Sequence, residues 1–243
     1  QALIGTTTST PCTAVVEETH SDNMFQLTPS ATAVDSIQYD NAFRMCFSDP
    51  NQGSASADYI AENKLATKVA IIYNSSDTYS SGIYQTFATE AKAKGLDVVA
   101  AEAFTADNKT DFSVQIQKAK DAGAELVFLP IYYQEASLIL AQANKVGFTP
   151  KWFGCDGMDG LLALDGFDAA LAENLMFLTP FTADAEDEAT QKFVSDFEAA
   201  FKGTPNQFAA DAYDCVYVIK EAAEKAELTP DMSVSDMSDA LKK

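Results

Sequence analysis

Two short segments, far apart in the chain, carry polar groups that could together bind one small molecule. Residues 27–32 read Leu-Thr-Pro-Ser-Ala-Thr, which sets the hydroxyls of Ser30 and Thr32 and nearby backbone amides just after a predicted strand. Asp156 follows another predicted strand. Hydroxyls and amides can hold a carboxylate, and a carboxylate can hold an ammonium group, so the pair suits an α-amino acid. An ordinary strand-to-helix turn would use Ser30 and Thr32 equally well.

A run of threonines offers a second group of anion-binding candidates. Thr6, Thr7 and Thr8 follow a short predicted strand, and Pro11 lies where a helix is expected to begin. Hydroxyls and helix-start amides directed at one point favour an anion. The alternative is a simple helix N-cap formed by Thr8 or one of the two residues after it.

Two tyrosines are candidates for the wall of the same site. Tyr79 and Tyr132 each follow a strongly apolar predicted strand, and ligands of open α/β sheets gather at the carboxyl ends of strands. A tyrosine supplies an apolar ring and one hydroxyl, which suits a small zwitterion. Tyr133 could take the place of Tyr132, and ordinary packing at the rim is the alternative for each ring.

Asp156 is the most specific of these candidates. A carboxylate directly after the apolar residues 152–154 would be poorly solvated unless it met a cation, and the ammonium group of an amino acid is such a cation. The alternative is that Asp156 caps a helix that begins near Gly157.

Composition limits the classes of partner. The chain has 243 residues and a formal charge of −20, from 36 acidic and 16 basic residues, which argues against nucleic acid and anionic membranes. The longest apolar run, residues 126–133, is too short to cross a bilayer, so no membrane insertion by this segment is predicted. The partner is expected to be small or neutral.

No metal site, cofactor site or catalytic centre is predicted. The four cysteines show no CxxC spacing and the chain has one histidine, so they are expected to be buried thiols rather than zinc ligands or disulfides. The sequence contains no GxSxG, no P-loop and no GxGxxG at a strand-to-helix turn. His20 lies in a polar segment with no visible partner and is expected to be a surface residue. With none of these catalytic features, the chain is not expected to be an enzyme.

Short apolar runs alternate with longer amphipathic segments, which predicts an α/β fold with parallel sheets covered on both faces. The predicted strands are residues 2–5, 24–28, 42–47, 68–73, 97–101, 125–130, 152–154 and 175–179. The predicted helices are residues 78–94, 111–122, 135–146, 188–202 and 207–225, which have apolar residues at spacings of three and four.

Two chain reversals set the expected domain borders. The regular β pattern breaks at residues 48–50, and the last predicted strand leads into Pro180. The block between them, residues 49–180, has the size of one small doubly wound domain. Residues 1–48 and 181–243 are expected to form a second domain.

In these features the chain resembles the periplasmic binding proteins of the leucine/isoleucine/valine type, the substrate-capturing components of ABC importers. The order and spacing of the matching segments hold along almost the whole chain, and Leu-Thr-Pro-Ser-Ala-Thr and Asp-Pro-Asn-Gln-Gly are the more specific of them. The matching segments are residues 4–8, 27–32, 43–44, 49–53, 69–73, 79, 111–112, 132, 154–156 and 211–214.

The resemblance implies a type I periplasmic binding fold of two doubly wound lobes, with the first lobe incomplete. Family members begin with two further βα units and end with a β-rich segment and a third crossover, so the chain is expected to be a fragment. Binding is expected to occur by closure of the lobes, with Thr6, Thr7, Thr8, Ser30 and Thr32 on one side. Tyr79, Tyr132 and Asp156 are expected on the other side. Family members often carry Glu where this chain has Asp156, so the shorter side chain is expected either to shift the pocket by the length of a methylene group or to admit a different ligand.

The resemblance also implies a function without chemistry. The expected role is extracytoplasmic capture of a small amino acid, aliphatic or branched, and its delivery to the membrane subunits of an ABC permease. The protein would lie in the periplasm or on the cell surface as a lipoprotein. The alternatives are a ligand-sensing receptor domain of the same fold, or a site for another small carboxylate or amide.

Overall fold

The structure is a computed structural model that describes residues 2–243 and divides them into two compact units. One unit is the chain up to Ser48 together with Pro180–Lys243, and the other is Asp49–Thr179. The strands are β1 Ala2–Ile4, β2 Phe25–Thr28, β3 Ala42–Arg44, β4 Lys68–Asn74, β5 Asp97–Phe104, β6 Leu126–Leu129, β7 Lys151–Gly154 and β8 Leu175–Phe177. The helices are α1 Ser9–Ser21, α2 Asp49–Glu62, α3 Thr78–Ala93, α4 Ser113–Asp121, α5 Tyr133–Lys145, α6 Glu188–Phe201, α7 Gln207–Lys225 and α8 Val234–Leu241.

The unit Asp49–Thr179 is built on one parallel sheet with the strand order β5-β4-β6-β7-β8. Successive residues of the central strands point to opposite faces, so β4 and β6 each contribute to two separate cores. Ile71 and Phe128 pack with α2 and α3 on one face, whereas Ile72 and Leu129 pack with α4 and α5 on the other. This arrangement is the doubly wound fold that the sequence predicts for the block.

Helices α2 and α3 pack closely because Gly53 has no side chain. A Cβ atom at residue 53 would lie 2.8 Å from the carbonyl oxygen of Ile83 and 2.8 Å from the backbone nitrogen of Phe87. Such a contact would force the two helices apart. The glycine of the Asp-Pro-Asn-Gln-Gly segment therefore sets the distance between α2 and α3.

The other unit contains a three-stranded parallel sheet with the order β1-β2-β3. Phe25 and Leu27 of β2 form its buried core with Cys215 of α7, and Leu241 of α8 packs against them. The register pairs Ile4 with Leu27 and Thr28 with Arg44, so the segments that follow β1 and β2 leave the same edge of the sheet.

The predicted α/β class and each of the predicted strands are confirmed, and each predicted helix has a counterpart in the structure. All four cysteines are buried as thiols, also as predicted. No helix among residues 2–243 has the length and apolarity needed to cross a membrane.

Helices α2 and α8 were not predicted, and of α1 only the start near Pro11 was expected. The buried face of α2 includes Gln52, Gly53 and Ser56, so the apolar spacing that marks a helix is weak. The break in the β pattern near Pro50 is the start of this helix, since a proline in the first turn lacks only an N–H that has no partner within the helix. Helix α1 is rich in β-branched residues, and α8 has only 8 residues.

Candidate functional site

Asp156 lies just beyond the carboxyl end of β7, and its main chain is held by side chains from two other elements. The residue is buried, with 2% of its surface exposed, and it begins a short 3-10 helix, Asp156–Met158. Its backbone N–H donates to Oε1 of Gln52 over 3.0 Å, and the N–H of Gly157 donates to the phenol oxygen of Tyr79 over 3.0 Å. Cys155 occupies the N-cap position, so the alternative assignment of Asp156 as a helix cap is wrong.

The structure brings Tyr79 and Tyr132 together beside Asp156. Their rings stack with centroids 4.8 Å apart and planes 28° from parallel. Burial raises the pKa of the Tyr79 phenol well above its ordinary value, and the nearby charge of Asp156 raises this pKa further. Tyr79 therefore remains a neutral phenol at physiological pH.

Gly157 allows the Asp156 loop to approach the two tyrosines. A Cβ atom at residue 157 would lie 2.8 Å from the Tyr79 oxygen, 2.9 Å from the carbonyl oxygen of Ile131 and 3.1 Å from Cδ1 of Tyr132. No side chain fits there without a shift of these groups. The position of the Asp156 carboxylate therefore depends on a glycine at the next residue.

In the other unit, Thr28 joins the segments that follow β1 and β2. Its hydroxyl donates to the carbonyl oxygen of Thr6 over 2.6 Å and accepts a hydrogen bond from the backbone N–H of Ala31 over 3.2 Å. The Oγ1 atoms of Thr6 and Thr32 are both buried, and neither has a hydrogen-bond partner among residues 2–243. Two candidate residues thus present hydroxyls that the rest of the described chain does not satisfy.

Ser30 differs from the expectation in what its hydroxyl binds. Its Oγ atom donates to Oδ2 of Asp211 in α7 over 2.7 Å, and both residues are buried. A hydroxyl has one proton, so the proton that was expected to bind a ligand carboxylate is held by Asp211 in this structure. The hydroxyl oxygen can still accept a hydrogen bond.

The remaining threonines have simpler surroundings. Thr7 is exposed. Thr8 stands at the N-cap position of α1, as the N-cap alternative expects, although its side chain makes no capping hydrogen bond. Ser9 instead uses its hydroxyl to accept a hydrogen bond from the N–H of Ala33 over 3.1 Å. The segment after β1 is thereby tied to the segment after β2 at a second point.

Gln52 and Thr28 were not predicted as site residues. Both lie within the segments that carried the family resemblance, but neither follows a strand as a conspicuous charged or aromatic group. Gln52 bonds to a backbone amide 104 residues away and Thr28 to a carbonyl oxygen 22 residues away, and no spacing rule reveals such contacts. Within the described residues, no group of three or more metal-ligating side chains lies together.

The family model described as "Periplasmic binding protein" matches residues 1–243. The chain belongs to this family. The family assignment made from the sequence is therefore confirmed.

Two curated relatives illustrate the similarity of this periplasmic binding protein to others. It is 29% identical over 236 residues to the Leu/Ile/Val-binding protein homolog 3 of Brucella melitensis, covering 94% of this chain and 61% of that protein. It is 28% identical over 218 residues to the leucine-, isoleucine-, valine-, threonine-, and alanine-binding protein of Pseudomonas aeruginosa, covering 89% and 57%. The chain thus spans about three fifths of the length of these relatives.

Solved structures support the same fold. The leucine binding protein LivK of Thermotoga maritima matches with a TM-score of 0.87 and 26% identity, over 99% of this chain and 67% of that one. The substrate binding protein LivJ of Streptococcus pneumoniae, solved with isoleucine, matches with a TM-score of 0.88 and 28% identity, over 99% and 67%. The predicted type I periplasmic binding fold is confirmed.

Proposed function

We propose that this periplasmic binding protein captures a small aliphatic or branched amino acid outside the cytoplasm and delivers it to the membrane subunits of an ABC permease. It performs no chemical step on the ligand. The observation that carries the proposal is the buried Asp156 carboxylate beside the stacked rings of Tyr79 and Tyr132.

The surroundings of Asp156 favour an ammonium group as its ligand. A buried carboxylate is costly unless hydrogen bonds or a cation compensate for lost solvation, and an ammonium group provides both charge and donors. The neutral phenol of Tyr79 adds no competing charge, and its ring with that of Tyr132 supplies apolar surface. An α-amino acid combines the required ammonium with a small apolar body.

The unit that contains β1 and β2 suits the carboxylate of the same ligand class. The hydroxyls of Thr6 and Thr32 are buried donors whose satisfaction by an anion would be favourable. The exposed Thr7 and the hydroxyl of Thr8 lie in the same segment. Ser30 contributes its backbone amide only, because Asp211 holds its hydroxyl proton and a hydroxyl oxygen cannot donate to a carboxylate. These groups form the proposed carboxylate subsite.

The relatives support an aliphatic side chain for the proposed ligand. One curated relative is named as a homolog of Leu/Ile/Val-binding proteins, and the other is named for binding leucine, isoleucine, valine, threonine and alanine. The LivJ structure holds isoleucine. The family name places its members outside the cytoplasm, and the proposed location here is the periplasm or the cell surface, the latter as a lipoprotein. The similarity to a substrate-binding protein of a branched-chain amino acid transporter supports the proposed permease partner.

Binding is tested by isothermal titration calorimetry of the purified chain with each of the twenty common L-amino acids, supported by thermal shifts, because a ligand of the native state raises the melting temperature. Selective binding of leucine, isoleucine or valine is the expected result. Binding of none of the amino acids by a protein that melts cooperatively would overturn the proposal. Binding of a carboxylate without an ammonium group would favour another small ligand instead.

A further inference from the structure

The side chain of Gln52 is oriented so that its amide oxygen faces the backbone of Asp156. A backbone N–H can only donate, so the atom of Gln52 that lies 3.0 Å from the Asp156 nitrogen must be Oε1 and not Nε2. Gln52 is 1% exposed. Its orientation is therefore fixed by a buried hydrogen bond rather than by solvent.

The backbone around Gln52 is also fixed. The residue lies in the first turn of α2, next to Gly53, whose missing side chain lets α2 contact α3. Helix α3 carries Tyr79, which holds the next amide of the same loop, that of Gly157. The pair α2 and α3 thus presents two side chains to two successive amides, and together they determine where the Asp156 carboxylate lies.

The amide nitrogen of Gln52 supports a role in ligand binding rather than in folding alone. Nε2 is buried and has no hydrogen-bond partner among residues 2–243. An apolar side chain of the same shape would remove this unpaired donor, but it would leave the buried N–H of Asp156 without its acceptor. A polar side chain at residue 52 is explained if binding requires the main chain of Asp156 to stay in one position.

We propose that Gln52 is a positioning residue of the amino-acid site, which holds the main chain of Asp156 through Oε1 so that the carboxylate meets the ligand ammonium. This inference rests on the proposed function. Gln52 acts through Asp156, so its effect on affinity requires the carboxylate to be present. That dependence separates positioning from general stabilisation of the unit.

A double-mutant cycle with L-isoleucine as the probe tests the inference. Gln52→Met keeps the length of the side chain and removes both polar atoms. It should weaken binding by roughly tenfold, the lower end of the loss in affinity found when a hydrogen-bond partner that orients a metal ligand is removed. In an Asp156→Asn background the same substitution should weaken binding by less than about twofold, because the ammonium contact is already lost. Binding is measured by calorimetry, and by thermal shift at high ligand concentration for the weaker variants.

Gln142 provides a matched control in the same unit. Its Oε1 accepts a hydrogen bond from the N–H of Phe112 over 2.8 Å, and its Nε2 donates to the carbonyl oxygen of Thr110 over 2.9 Å. Gln142→Met removes the same chemical groups away from Asp156, so it should lower the melting temperature without a change in affinity. If Gln52→Met does not fold, Gln52→Asn, which has the same groups on a shorter side chain, takes its place.

The outcomes separate this inference from the proposed function. A loss of affinity in Gln52→Met that is equal in both backgrounds, or no loss in either, would overturn the positioning role while leaving amino-acid binding intact. If the unsubstituted protein melts cooperatively and binds none of the twenty amino acids, the proposed function fails and this inference fails with it.

Discussion

Ser30 and Asp211 are separated by 181 positions in the sequence, yet the hydroxyl of the first donates a hydrogen bond to the carboxylate of the second over 2.7 Å. The bond fastens the segment after β2 to helix α7. Because both residues are buried, the carboxylate of Asp211 relies on donors from the protein rather than on water. This contact assigns Ser30 a structural role in addition to the one expected from its position.

Ser30→Ala should therefore affect stability more than ligand affinity. Removal of the donor should lower the free energy of unfolding by about 1–3 kcal/mol, the usual loss when a buried acceptor loses its partner. Urea unfolding followed by circular dichroism measures this change, and calorimetry with L-isoleucine is expected to show less than about a threefold change in Kd, under about 1 kcal/mol. Unchanged stability with a large loss of affinity would instead indicate direct contact between the Ser30 hydroxyl and the ligand.

Asp156→Ala should weaken amino-acid binding by about 2–5 kcal/mol, the range found when one partner of a buried charge pair is removed. The matched control is Asp107→Ala, which removes the same charge from an exposed loop. Calorimetry should show a near-normal Kd for the control. Equal affinities of the Asp156 variant and the unsubstituted protein would rule out an ammonium contact at this carboxylate.

Gly157→Ala should disturb both the fold and the site. The added Cβ would lie 2.8 Å from the Tyr79 oxygen and 2.9 Å from the carbonyl oxygen of Ile131, so we expect a loss of about 1–3 kcal/mol in the free energy of unfolding, as for other overpacked sites. Gly203→Ala is the control, because a Cβ there meets no atom within 4 Å. Thermal melts of the two variants should separate clearly, and coincident melts would show that the Asp156 loop can move aside.

The buried phenol of Tyr79 should make the free energy of unfolding depend on pH in the alkaline range. Its folded-state pKa lies well above the ordinary value, so above about pH 10 the unfolded chain loses the phenol proton while the folded chain keeps it. The free energy of unfolding should fall by about 1.4 kcal/mol per pH unit from this group alone, starting near pH 10. Below pH 10 the group contributes no slope.

A comparison of the unsubstituted protein with Tyr79→Phe measures that slope. Burial also raises the pKa values of the Cys155 and Cys215 thiols, the latter to about 12, but both proteins share these groups. The difference between the two urea-unfolding series, recorded from pH 8 to 11, should therefore report the phenol. Parallel curves for the two proteins would mean that the Tyr79 hydroxyl ionises in the folded state as readily as in the unfolded chain.

The parts of the fold predictable from sequence are those in which apolar side chains repeat at the period of one element. Strands β4 and β6 are nearly continuous apolar runs because both of their faces are buried, and α7 has apolar residues at helical spacing, so its bounds were predicted correctly. Helix α2 was not predicted because glycine, serine and glutamine make up half of its buried face. Small residues such as Gly53 allow α2 to pack closely against α3, and the spacing of apolar residues does not reveal such a contact.

The predictable part of the candidate site consists of aromatic and charged side chains that directly follow strands. Tyr79, Tyr132 and Asp156 were predicted as one group, and the structure places them together. The partner of Ser30 could not be predicted, because Asp211 reaches it from a distant helix. Gln52 was missed for the same reason, since its hydrogen bond to Asp156 depends on tertiary packing and on the Gly53 contact.

The two cores of the unit Asp49–Thr179 share strands, and this makes the sheet sensitive to changes of length. Neighbouring residues such as Ile71 and Ile72 belong to different cores, so one inserted residue within β4 would send the side chains that follow it to the opposite faces. A substitution changes the volume of one core, whereas an insertion exchanges the contents of both. In a set of random variants, in-frame insertions and deletions that preserve folding should therefore fall in the connecting loops and be excluded from β4 and β6.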